Sequence, residues 1–313
     1  MQNQKSAEPE EIDVLCVGHA SWDIFLYVDE YPVENSKQLL SESGESAGGP
    51  ALNASALLAR WRLRCDFAGA AGNDPYGLQI LKTLQDDGAG IQALELRQGS
   101  STALSVVMVH KHSGSRTILT RRRGSGVYAL PESYLRTKRP RFILMDGHEP
   151  EASRQAMLAF PEAVTILDAG GYRQSTISLA AEADYLVASE RFAAERCGED
   201  SLVDDRQVIT GLQALAEMSS GRIAVTLGER GCAFLQDGNI RRIRGVPVRA
   251  EDTTAAGDIF HGAFVYGLHT GREFDESLDF ANWAASISVT KRGGHNSIPA
   301  LEDIEARWDS SFY

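Results

Sequence analysis

The feature that most limits how this chain can fold is a rhythm of short apolar runs. They recur at residues 12–18 (IDVLCVG), 65–72 (CDFAGAAG), 141–146 (RFILMD), 163–169 (AVTILDA), 184–189 (DYLVAS) and 222–227 (RIAVTL). Helical patterns lie between most of them, as at 50–61, 75–87 and 204–218. Strands that are apolar throughout need cover on both faces, and alternating helices supply it. The pattern therefore predicts an α/β fold with a mainly parallel central sheet flanked by helices.

Two regions break the rhythm: 22–29 (WDIFLYVD), and 102–110 (TALSVVMVH) followed by 115–120 (SRTILT). Polar and apolar residues alternate there, and turn residues such as HSGS separate the strands. That is the signature of antiparallel ribbons outside the main sheet. A small β-strand lid is expected from about 19–40 and 102–123, attached to a single domain over residues 1–313, because no repeat or long linker divides the chain.

Composition narrows the partners. With 313 residues, 43% of them hydrophobic, the chain can bury a large core, while a formal net charge of -12 repels nucleic acid and anionic lipid. The N-terminal MQNQKSAEPEE lacks the apolar centre of a signal peptide, and no apolar run reaches the length of a membrane span. The expectation is a cytoplasmic protein with no nucleic-acid or membrane partner. Cys16, Cys65, Cys197 and Cys232 form no C-x-x-C pair, and three of them fall in or beside apolar runs, as buried free thiols do.

Residues 251–264 read EDTTAAGDIFHGAF. After a strand expected to end near Val248, the small residues Ala255, Ala256 and Gly257 permit a tight turn into an apolar helix, whose first N–H groups are free to bind an anion. On spacing alone Asp258 reads as a first-turn acid at the positive end of a helix, or as a carboxylate placed to take a proton from a substrate hydroxyl.

Residues 46–55 (SAGGPALNAS) open another helix, with Pro50 suited to its first turn. Gly48 and Gly49 would admit a ligand close to the backbone, and Asn53 offers both donor and acceptor; a purely structural turn has the same look. The turn TLGERG (226–231) follows a strand but leads into the strand-like CAFLQ, so it fails the context of a dinucleotide fingerprint or P-loop. The run LTRRRG (119–124) is either a solvated sheet edge or, under a closed lid, a place where Arg121 or Arg123 meets a carboxylate, phosphate or sulfonate.

GGPALN, TLGERG, DTTAAGD with an apolar helix behind it, and KRGGHNSIP near the C-terminus stand in the order seen in the ribokinase-like (PfkB) sugar kinases. The chain resembles that family from about Asp13 to Pro299. The resemblance implies a ribokinase-like fold and an ATP- and Mg²⁺-dependent phosphotransferase. Its acceptor would be a hydroxymethyl group of a monosaccharide, either ribose- or ketose-like or an anionic derivative such as a sulfosugar or sugar acid.

By the same resemblance Asp258 is the base, and the amides of Ala255, Ala256 and Gly257 form an anion hole; many relatives have Gly where Ala255 stands. Asp23, Gly48, Gly49 and Asn53 would bind the sugar, with Lys37, Arg121 and His148 as further contacts. Thr226, Gly228, Gly231 and Asn282 would lie along ATP. Glu190, in ASERFA where many relatives carry N-x-x-E, would organise Mg²⁺. Asp252, Thr254, Arg292, Gly294 and Ser297 would supply a K⁺ loop, and lid strands pairing between subunits would make a homodimer.

Three other readings compete. A nucleoside kinase of the same fold would need an apolar, aromatic-lined base pocket, which the arginine run opposes. A non-catalytic sugar- or nucleotide-binding regulator is opposed by the intact DTTAAGD block. A Rossmann oxidoreductase needs G-x-G-x-x-G after the first strand, where VGHASWD stands.

Overall fold

Side-chain alternation along the first strand shows how the main sheet is covered. In β1 (Glu10–Val17), Val14 and Cys16 point into one apolar cluster, Leu15 and Val17 into another, and all four are fully buried. The same division recurs further along the sheet, where Phe142 and Leu144 face one side, Ile143 and Met145 the other. The computed structural model describes residues 9–122, 126–236 and 238–310.

The remaining strands are β2 (Ser21–Val28), β3 (Ser43–Gly48), β4 (Cys65–Gly72), β5 (Gly90–Arg97), β6 (Ala103–His110), β7 (Arg116–Arg121), β8 (Lys138–Met145), β9 (Val164–Ala169), β10 (Tyr185–Ser189), β11 (Arg222–Thr226), β12 (Cys232–Gln236) and β13 (Asn239–Ile243). Nine of them form one sheet in the order β13-β12-β11-β10-β9-β8-β1-β4-β5. From β11 to β5 all neighbours are parallel, and β12 and β13 add an antiparallel edge. The helices Pro50–Arg60, Ala256–His269 and Phe274–Ser288 cover one face, and Pro150–Ala159, Glu190–Cys197 and Asp205–Ala216 the other. This is the ribokinase-like α/β architecture, a mostly parallel sheet between helices with a separate small sheet.

The small sheet has the order β3-β2-β6-β7. It departs from the expected ribbons in two ways. Its central pair, β2 with β6, is parallel, because the two strands are joined through a long stretch of the main domain rather than by a hairpin. Its edge β3 was not anticipated: SGESAG has no apolar alternation, since only its last three residues are buried. Phe25, Tyr27, Val107 and Val109 form a small core on the inner face of the lid.

A third difference concerns the approach to Asp258. The last strand ends at Ile243, and residues 244–250 are irregular rather than a strand reaching Val248. The helix that carries Asp258 is instead fixed by packing. Gly262 brings it against the helix Pro50–Arg60, where a Cβ would meet Leu57 Cδ2 at 3.2 Å and the Ala54 backbone at 3.3 Å.

Widening that contact should act on stability and site together. Gly262→Val is expected to lower unfolding free energy by about 1–3 kcal/mol, the usual cost of overpacking, measured by denaturant titration; an unchanged midpoint would show that the helix pair tolerates separation.

Candidate active site

The C-terminal ends of the parallel strands place the chemistry-bearing residues in a row. His19 follows β1, Asp146 follows β8, Asp168 lies in β9, Glu190 follows β10, and Thr226 ends β11. Strand ends of a parallel sheet are where ligands bind in open α/β folds. The lid covers the β1–β9 part of this row, enclosing a cavity of about 590 Å³.

Asp258 is the third residue of the helix Ala256–His269 and lines this cavity. Its Oδ2 accepts a hydrogen bond from Asn53 Nδ2 at 2.7 Å. Burial pushes its pKa above the usual aspartate value, and the Asn53 hydrogen bond pulls the other way. The carboxylate is thus partly desolvated but held in one direction, which suits a proton acceptor.

Asn53 is held in turn. His295 Nδ1 lies 3.3 Å from Asn53 Oδ1, His295 Nε2 lies 2.8 Å from Asp87 Oδ2, and Arg60 Nε donates to Asp87 Oδ1 at 2.6 Å. With its oxygen turned to His295, the amide presents its NH₂ to Asp258. His295 and Asp87 were not singled out from the sequence, although His295 stands inside the KRGGHNSIP block. The signal was lost because its partners are more than 200 positions away.

Ala255 caps the helix in the left-handed region, with φ 63 and ψ 6. A non-glycine residue there is held at a cost of about 1–2 kcal/mol, which the surrounding turn must offset. Gly257 is exposed, and a Cβ on it would meet nothing within 4 Å. The Ala256 amide lies 3.4 Å from Thr253 O, at the limit of a hydrogen bond, so the first-turn amides are largely free for an anion.

The lid contributes Asp23, whose Oδ1 accepts from Ser21 Oγ at 2.9 Å. Burial raises its pKa to about 6, and the charge of Asp258 adds to the rise. Gly48 and Gly49 serve this geometry differently from the expected ligand approach. A Cβ on Gly48 would strike the Asp23 carboxylate at 2.0 Å, and one on Gly49, at φ +117, would strike His19 O at 2.1 Å. Gly48 is buried behind Asp23, whereas Gly49 and Asn53 line the cavity.

Asp168 is a cavity acid that the sequence reading missed. Its pKa is pushed up to about 7, first by burial and then by the charges of Asp258 and Asp146, while His261, 3.3 Å away, opposes the rise. Asp146 behaves oppositely. Burial would raise it, but His148 and the amides of His19 and His148 hold it below the usual range.

Other expected residues fall elsewhere. Lys37 is exposed in the loop between β2 and β3, away from the cavity lining. Arg121 is a correction: the two-residue period of β7 turns Arg116, Ile118, Thr120 and the following Arg122 toward the cavity, leaving Arg121 on the opposite face. Arg123 lies outside the described residues. His148 does line the cavity.

Thr226, Gly228 and Gly231 form the β11–β12 turn, with positive φ at both glycines, and Asn282 Nδ2 donates to Arg244 O at 2.9 Å. None of the four lines the lid-covered cavity; the turn lies two strands beyond β9 in the same row. Glu190 is already engaged, by Arg230 Nη2 at 2.7 Å and by the Leu202 amide at 3.1 Å.

The expected cation loop converges. Asp252 is fully buried and accepts from the amides of Thr254 at 2.9 Å and Gly293 at 3.0 Å, while Ser297 Oγ donates to Gly294 O at 2.6 Å. Thr254 Oγ1 is buried without a partner among the described residues. A buried carboxylate beside an orphaned hydroxyl fits a monovalent cation. The Arg292 side chain turns away to Glu42 and Glu251, leaving only its backbone for such a shell. Among the described residues no group of three or more His, Cys, Asp or Glu side chains is arranged to hold a metal ion.

A half-desolvated carboxylate beside open helix amides, beneath a β-sheet lid, defines an enzyme that moves an anionic group onto a substrate hydroxyl. The chain belongs to the pfkB family of carbohydrate kinases, whose sequence profile matches residues 11–301. That makes it a phosphotransferase acting on a sugar or nucleoside. A ribokinase of Haemophilus influenzae is 26% identical over 261 residues, covering 82% of this chain and 85% of that protein. A nucleoside kinase of Methanothermobacter thermautotrophicus is 24% identical over 313 residues, covering 96% and 97%. The structure of Arabidopsis thaliana ribokinase complexed with ribose and ATP superposes with a TM-score of 0.81 at 22% identity, covering 96% of this chain and 99% of that one, and so shares the fold.

Two measurements probe the geometry. Ala255→Gly should leave the thermal midpoint unchanged or raise it, because relief of about 1–2 kcal/mol of strain meets about 0.5–1 kcal/mol of added chain entropy; Ala255→Val should lower it, and a destabilised glycine variant would contradict the strain. Asp168 favours the folded state while protonated. Its contribution is complete below the ordinary value of 3.8 and is lost as pH rises to about 7. The stability of Asp168→Asn relative to wild type should therefore rise across that window in pH-dependent melts, and a flat difference would assign the titration elsewhere.

Proposed function

We propose that this protein is an ATP-dependent sugar kinase that phosphorylates a hydroxymethyl group of a monosaccharide held between the lid and Asp258. The observation that carries the reading is the Asn53–Asp258 pair, 2.7 Å apart at the opening of the Ala256–His269 helix, with Asp23 facing the same cavity. Asp23 and Asn53 fix the sugar hydroxyls. Asp258 takes the proton of the hydroxymethyl group as its oxygen attacks the γ-phosphorus and ADP leaves. The amides of Ala255, Ala256 and Gly257 receive the migrating phosphoryl group, so positioning and electrostatics supply most of the acceleration.

Mg²⁺, when bound with the nucleotide, neutralises charge on the β- and γ-phosphates. The nucleotide extends along the strand-end row toward Thr226, Gly228 and Gly231, with Asn282 at its base end. Potassium would fill the loop of Asp252, Thr254, Gly294 and Ser297. The lid's outer face carries Ile24, Leu26, Val106 and Met108, all partly exposed, with Leu119 61% exposed beside them; this apolar face supports a homodimer formed lid to lid.

The M. thermautotrophicus relative favours a second reading, a nucleoside acceptor. Against it, the described residues lining the cavity include no Phe, Tyr or Trp to stack on a base.

Asp258→Asn should retain the fold and lose about 10²–10⁴ in kcat, the usual range for a lost acid–base group, in a coupled ADP-release assay with any accepted sugar. Near-normal turnover would remove Asp258 from the chemistry.

A further inference from the structure

The cavity has two ends, and phosphoryl transfer occupies one. β7 runs along its length. Arg116, at the start of the strand, donates to Thr253 Oγ1 at 2.8 Å, on the loop that leads to Asp258. Arg122 follows the last residue of the strand, so at about 3.3 Å per residue the two Cα atoms are about 20 Å apart. Arg122 therefore stands at the end away from the base.

There Arg122 and Arg173 converge on one imidazole. Arg173 Nη1 lies 2.7 Å from His148 Nε2, and Arg122 Nη2 contacts His148 Nδ1. A neutral imidazole accepts at one nitrogen only and a protonated one at neither, so at least one contact sets N–H against N–H. Among the described residues neither guanidinium is ion-paired with a carboxylate. Asp146, on the same wall, is taken by the amides of His19 at 2.8 Å, His148 at 2.9 Å and Ala51 at 3.2 Å. Glu149 is raised to about 7 by burial. Burial and the neighbouring charge of Arg122 lower the Arg173 pKa, although Asp146 and Asp168 oppose the shift.

We propose that Arg122, Arg173 and His148 form a subsite for an anionic group on the sugar, so that the substrate is a monosaccharide with a carboxylate, phosphate or sulfonate at the end away from the reacting hydroxymethyl group. The proposal rests on the sugar-kinase reading of the same cavity. An anion seated between the guanidinium groups accepts from both, relieves their repulsion and ends the donor–donor contact at His148. Planar guanidinium forks match the oxygens of all three groups.

The test compares D-fructose with its C6 carboxylate, phosphate and sulfonate analogues, and D-ribose with ribonate and ribose 1-phosphate. Each is assayed by ADP release and, without nucleotide, by calorimetry. At least one anionic sugar should exceed its neutral parent in kcat/KM by 10²-fold or more, and which one does so identifies the group. Arg122→Gln and Arg173→Gln should each cut that ratio by about 10- to 100-fold, the strength of a charge-assisted hydrogen bond, while Lys37→Gln leaves it unchanged. Inorganic sulfate should compete with the anionic sugar on wild-type protein, a readout that needs no variant. A neutral parent that matches every analogue, or a ratio insensitive to both arginines, overturns the subsite. Anionic sugars that bind through the arginines without ADP release from any sugar would keep the subsite and reject the kinase reading.

Discussion

The hydrogen bond from Asn53 to Asp258 is the contact on which the site depends, because it joins two helices that begin at different glycine-rich turns and pack at Gly262. Everything around it acts to fix its direction. His295 turns the Asn53 amide, Asp87 holds His295, and the left-handed Ala255 sets where the Asp258 helix begins. A carboxylate that has lost part of its water can serve as a base only if its remaining partner leaves the reactive lone pair open. One neutral amide does that; a guanidinium in its place would hold the charge too firmly.

Electrostatics along the cavity follow from how each acid is solvated rather than from how many there are. Burial would raise Asp146, but the neighbouring His148 and the amides of His19 and His148 hold it below the usual aspartate range. For Asp23 and Asp168 burial outweighs their hydrogen bonds and pushes them upward, to about 6 and about 7. The result is a floor of acids near the helix start, two of them pushed upward, and a far wall where two arginines converge on one imidazole. A protein whose formal net charge is -12 thereby keeps a local positive site inside an acidic surface.

Much of the fold is legible in the sequence. The apolar runs mark β1, β4, β8, β9, β10 and β11, whose parallel sense follows from the helices between them, and the alternating stretches mark β2, β6 and β7; β3 and β5 fall outside both patterns. The site is legible where chemistry is local: Asp258, Ala255 to Gly257 and Asn53 stand in short blocks whose spacing carries the meaning. It is hidden where meaning depends on register or distance. Arg121 and Arg122 are indistinguishable until the start of β7 fixes which parity faces inward. Asp168 looks like an ordinary strand end in AVTILDA, and His295 gains a role only when folding brings Asp87 beside it. Glu190 shows the converse, a suggestive position already engaged by Arg230.

Arg116 begins β7 and Arg122 directly follows its last residue, which turns the strand into a ruler. A β-strand is stiff and its side chains alternate, so the spacing between inward-facing positions changes only in steps of two residues, about 7 Å each. A single insertion would swing Arg122 outward instead of shifting it slightly. Acceptance of longer or shorter substrates can therefore evolve in the lid by whole steps, with the catalytic helix left untouched.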